Sequence, residues 1–175
     1  MKANKKILII SAIAILAIVL SLLIDQKSLS QLLEKMIFNA VAVLVGLSIA
    51  VVGIFLSSIN TMYLSIYRLT KTKDNHTFSD EEIKEIKSGL SGLVDELKEN
   101  ALFSLYAFIS VLILFFFKEI DIPNVKWFIE SLVVTKEFTL NTIILIGNFL
   151  IFYAIIDSTK VVFKITKAFE LIKKE

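Results

Sequence analysis

Asn39, Gly46, Gly53 and Asn60 stand at intervals of seven in an uncharged stretch, NAVAVLVGLSIAVVGIFLSSIN. Amides and glycines supply no nucleophile or general base, so the chemistry on offer is hydrogen bonding and close backbone approach. On a helix, a seven-residue repeat drifts by only about 20°, which places all four residues on one face. Ala42, Ala50 and Ser57 lie beside them, giving small residues at four-residue spacing. That pattern lets helix backbones meet in lipid, where association depends on packing rather than on release of water. Such a face serves either as a packing seam, inside one bundle or between copies, or as a pore lining with amides near the mouths and glycines at the constriction. In both cases an amide left unpaired in hydrocarbon is costly, so the face is expected to look at protein or at water.

Asn141 and Asn148 repeat the theme, again seven apart and with Gly147 beside the second. They form either a polar stripe along a pore or an amide pair inside the bundle. Gly89 and Gly92, in SGLSG, interrupt a helical pattern, each costing about 1 kcal/mol relative to alanine, and are expected to act as a hinge. Ile83, Ile86 and Leu90 lie on one apolar face, and Lys160, Lys164 and Lys167 lie off a second one. Both sets are candidates for contact with a partner or with lipid. His76 is alone in a polar turn, with no ligand at metal-binding spacing. The chain has no cysteine and no phosphate loop, HExxH, GxSxG or paired-carboxylate arrangement. No enzyme activity, metal or cofactor is expected, and nothing beyond scattered lysines favours nucleic acid.

These residues are carried by elements written in the hydropathy. Hydrophobic residues make up 56% of the chain and the mean hydropathy is +0.77, well above a soluble globular domain. Nearly charge-free runs begin near Ile7, Met36, Ala101 and Thr139, each close to the roughly 20 residues a helix needs to cross hydrocarbon. They are apolar all round, unlike the alternating strands of a barrel. The expected spans are 7–24, 36–60, 101–117 and 139–157, with the first retained rather than cleaved because its apolar core is longer than a signal peptide's. With the amino terminus inside, 14 of the 19 lysines and arginines fall on the cytoplasmic side, which sets both termini in the cytoplasm. No charged residue or histidine sits in mid-span, which argues against proton relays, ion-coupled transport and voltage sensing.

After the first span, DQKSLSQLLEK reads as a short outer turn. The cytoplasmic connection, 69–100, carries an amphipathic helix opened by a capping box at Ser79 and Glu82 and running into the third span without a breaker. A short interfacial helix is expected around Trp127. The fourth span continues as a basic helical tail, 158–175. Residues 79–99 hold seven carboxylates against three lysines, and the tail from Lys160 holds five lysines against two glutamates. The two helices are expected to pack together below the membrane, apolar faces joined and charges complementary. A basic tail lying on anionic lipid is the rival reading.

The fold class is therefore an all-α integral membrane protein with four transmembrane helices, an amphipathic cytoplasmic helix between the second and third, and a helical basic carboxy-terminal extension. Two functions fit. One is a small homo-oligomeric protein of the cell membrane that forms or gates a pore, or perturbs the bilayer as a sensor or effector. The other is a membrane anchor or adaptor recruiting a cytosolic protein through residues 69–100 and the tail. In layout, with both ends inside, an acidic helix after FSDEE and the lysine tail KITKAFELIKK, the chain resembles small four-helix membrane subunits of bacterial antiphage systems, such as the Kiwa membrane subunit. That resemblance implies a membrane sensor or effector working with a cytosolic partner.

Overall fold

The computed structural model describes residues 2–72, 80–120 and 135–174. Every regular element among them is helical: α1 (Lys2–Leu23), α2 (Gln26–Met36), α3 (Ala42–Thr72), α4 (Asp80–Glu119) and α5 (Lys136–Lys174). A π-turn, Ile37–Val41, joins α2 to α3. Four stretches are long and apolar enough to cross a membrane: Lys6–Leu23, Gln26–Ser57, Ser88–Glu119 and Lys136–Lys167. The expected capping box at Ser79 and the short helix around Trp127 fall outside the described residues.

The chain forms two compact units. The first comprises Met1–Val45 with Phe103–Tyr153, and the second Gly46–Leu102 with Ala154–Glu175.

In the first unit the expected outer turn is corrected. DQKSLSQLLEK is helix from Gln26 onward, ten residues ahead of the expected start at Met36, and only Ile24 and Asp25 separate α1 from α2. The Asp25 carboxylate caps α2 by accepting from the Ser28 backbone N–H at 3.1 Å, which satisfies one of the amides a helix start leaves orphaned. Leu29 and Leu33 then bury a face that continues through Ile37, Val41 and Val45. That series advances in steps of four, and on a regular α-helix each step would rotate the face by about 40°. The π-turn is wider, with i→i+5 bonds, so it rotates less per residue and takes back part of this drift. Within it, Phe38 meets Phe115 of α4 edge-on, centroids 5.9 Å apart. Lys118 reaches back to donate to the Ser30 hydroxyl of α2.

In the second unit, α3, α4 and α5 share one core. Val52 of α3, Leu90, Val94, Leu97 and Ala101 of α4, and Val161 and Ile165 of α5 are buried together. The spacing of the α4 and α5 residues is the 3.6-residue period of amphipathic helices, and the apolar faces of the acidic helix and the basic tail meet as their periodicity indicates. Among the described residues no ion pair joins them, and the ion pair is Lys98 with Asp95, one turn apart on α4 at 3.4 Å. The cross-helix polar contact is Asn100 Nδ2 donating to Asp157 Oδ2, also at 3.4 Å.

Candidate functional site

Gln26 and Asn141 tie three helices of the first unit together. Gln26 Nε2 donates to the Ser21 carbonyl at 2.6 Å, closing one of the free carbonyls at the end of α1. Asn141 Nδ2, at the start of α5, donates to Gln26 Oε1 at 3.0 Å and to the Gln26 carbonyl at 3.3 Å. Asn141 is fully buried; its Nδ2 is held in this relay, while its Oδ1 has no partner among the described residues. Gln26 carries no signal in the sequence, because a glutamine beside an aspartate reads as turn unless Asp25 is recognised as a cap.

Asn148, two turns further along α5, is different. It is 0% exposed, yet neither its carbonyl oxygen nor its amide nitrogen has a hydrogen-bond partner. Both amides lie buried inside the bundle, and they do not bond to each other. A buried amide without partners costs about 1–3 kcal/mol. Asn148→Leu, close in volume and apolar, is therefore expected to raise the thermal midpoint of the detergent-solubilised protein by roughly 2–10 °C. A lowered midpoint would show that the amide is bonded in solution.

At Gly147, α5 comes close to α4. A β-carbon built on it would overlap the γ-methyl of Val111 on α4, whereas one on Gly46, Gly53, Gly89 or Gly92 would meet nothing within 4 Å.

The seam read from the sequence on α3 faces outward. Asn39, Gly46, Ala50, Gly53 and Ser57 are exposed and Ala42 is half-buried. Among the described residues that face is left uncovered, and the buried side of the same rod is formed by Val41, Val45, Ser48 and Val52. Asn39 sits in the π-turn and lines an open groove of about 490 Å³ with Gln31, Glu34, Lys35 and Phe38. Ser57 satisfies its hydroxyl on its own helix, donating to the Ile54 carbonyl at 2.8 Å. The Asn60 side chain lies outside the described part.

No known protein family, curated protein or solved structure matches this chain. The functional reading therefore rests on the residues themselves.

The other candidates divide. Leu90, a candidate for contact with a partner or with lipid, is buried in the core of the second unit, where it joins residues of α3 and α5. It reads the same in sequence whether its face meets a partner or another part of the chain. The Ile83 and Ile86 side chains lie outside the described part. Lys160, Lys164 and Lys167 are exposed. Between them stands Phe163, 70% exposed, which periodicity does not single out because it is off the apolar face that Val161 and Ile165 define. Gly89 and Gly92 are exposed and lie within α4, which runs unbroken from Asp80 to Glu119. No group of three or more histidines, cysteines or carboxylates with metal-binding placement occurs among the described residues.

Proposed function

We propose that this chain is an integral membrane protein, both termini cytoplasmic, that assembles with copies of itself along α3 and forms or gates a pore or otherwise perturbs the bilayer. The observation that carries this reading is the uncovered small-residue face of α3, Gly46, Ala50, Gly53 and Ser57, with the exposed amide of Asn39 at its end. Lipid offers an amide no hydrogen bond in the hydrocarbon, and small residues are of use to a membrane helix chiefly where another backbone approaches. A second copy supplies both at once. Asn148 favours a working state different from the resting one, because a stranded interior amide gains a partner only by rearrangement or by entry of water.

The test is to purify the full chain in detergent, count its subunits by native mass, and record conductance in a planar bilayer. The wild type is expected to be a multimer that conducts. Gly46→Leu combined with Gly53→Leu should yield a smaller particle and lose the conductance, since two bulky side chains would hold the backbones apart. A monomeric, silent wild type would sink the proposal. The second reading, an anchor for a cytosolic protein, is favoured by exposed Phe163 among lysines and would be supported by a multimer that never conducts.

A further inference from the structure

The second unit carries two outer faces of opposite charge, both turned away from its core. On α4, the side opposite Leu90, Val94 and Leu97 presents Glu81, Asp95 and Glu99, all exposed, with Ser88 and Gly92 between them. Lys84 is the exposed cation nearby, and Lys98 is already held by Asp95. On α5, the side opposite Val161 and Ile165 presents Lys160, Lys164 and Lys167 around Phe163. Asp157, three residues before Lys160, is half-buried and accepts from Asn100. Residues three, four and seven apart lie on one helix face, so each set is a contiguous patch.

From this we infer that the acidic face of α4 and the basic, Phe163-bearing face of α5 are the two halves of one interface, joined head to tail between copies of this chain. The inference rests on the self-association proposed above and names a second surface for it. Two observations point to a second copy rather than to another occupant. The patches are complementary in charge and come from the same chain, so every copy brings both halves. Gly92 also has open space where a side chain would sit, and a glycine inside a helix is unfavourable unless something uses its lack of a β-carbon. Among the described residues, nothing in its own chain does. The open space over Gly92 leaves room for an aromatic ring entering from outside, and Phe163 is an exposed aromatic ring. Two different faces joined in this way make a heterologous contact, which closes into a ring or extends as a filament.

The chain contains no cysteine, so cross-linking gives a direct test in the full-length protein. One copy carries Gly92→Cys and a second, differently tagged, carries Phe163→Cys. Oxidation in membranes should join the two tags when the copies are co-expressed, and should leave each variant uncross-linked when it is expressed alone. In parallel, Lys160→Glu, Lys164→Glu and Lys167→Glu together should weaken association at least tenfold. Adding Glu81→Lys, Asp95→Lys and Glu99→Lys to the same chain should restore it. A multimer of native mass with no mixed cross-link would overturn the inference while leaving the α3 seam standing. A monomeric wild type would overturn both. If the lysine reversal left the mass unchanged, the α5 face would not join copies and the inference would fall.

Discussion

Gly147→Leu is expected to destabilise the first unit by about 3 kcal/mol, the upper part of the usual range for overpacking a filled interior. For a chain of this size that corresponds to roughly 6–12 °C in the midpoint of thermal unfolding in detergent. The cause is local. A β-carbon at Gly147 already overlaps the Val111 γ-methyl, and a leucine adds three more carbons in the same direction. Val111 is buried and β-branched, so it has one strongly preferred rotamer in a helix and cannot swing aside. The helices must separate instead, and Phe38 against Phe115 and Lys118 against Ser30 would be strained with them. Gly147→Ala isolates the contact, because alanine gains about 1 kcal/mol of helix propensity over glycine. A net loss in that variant, removed by adding Val111→Ala, would assign the cost to this one approach. Full stability of Gly147→Leu would mean that α4 and α5 do not meet here.

The glycines explain what can and cannot be read from the sequence. Gly46 and Gly53 stand in small-residue register and read as a packing seam, yet among the described residues a β-carbon on either would meet nothing within 4 Å. Gly147 stands among large residues, in LIGNF, and makes the close approach. Within an all-round apolar run, hydropathy carries no contrast between the side that meets protein and the side that does not. Helix existence is therefore legible there and the buried face is not. The same reasoning covers the π-turn, whose residues Ile37, Phe38, Ala40 and Val41 are ordinary helix residues, and Asn148, whose lack of partners depends on neighbours far away in sequence. The second unit is the opposite case. Its charged residues leave a periodic apolar face on α4 and another on α5, and those two faces meet in one core. What periodicity omits is the third member, Val52, because it comes from an apolar run that shows no face. The start of α2 is obscured for another reason: Asp25 and Lys27 read as a polar turn, although an aspartate followed by apolar residues at Leu29, Leu32, Leu33 and Met36 is also a cap and an amphipathic helix.

Ile165→Ala is expected to loosen the second unit alone, and the size of the effect reports the medium around it. Ile165 is 0% exposed, packed with Val161 of its own helix and with α3 and α4 residues of the shared core. In water, truncating such a side chain costs about 2–5 kcal/mol, from lost transfer free energy and from the cavity left behind. In lipid the transfer part vanishes, because acyl chains are as apolar as the core, and only the lost packing remains. Hydrogen exchange on the intact protein separates these cases. If the second unit stands in water, amides of α4 at Val94 and Leu97 and those of α5 around Val161 should exchange roughly 30- to 4,000-fold faster, at about one decade per 1.4 kcal/mol. Amides around Ile144 in the first unit should keep their protection. A change below about threefold in the second unit would place Ile165 outside any cooperative core. Equal losses in both units would show that α4 and α5 transmit the damage along their length, and the two units would then unfold as one.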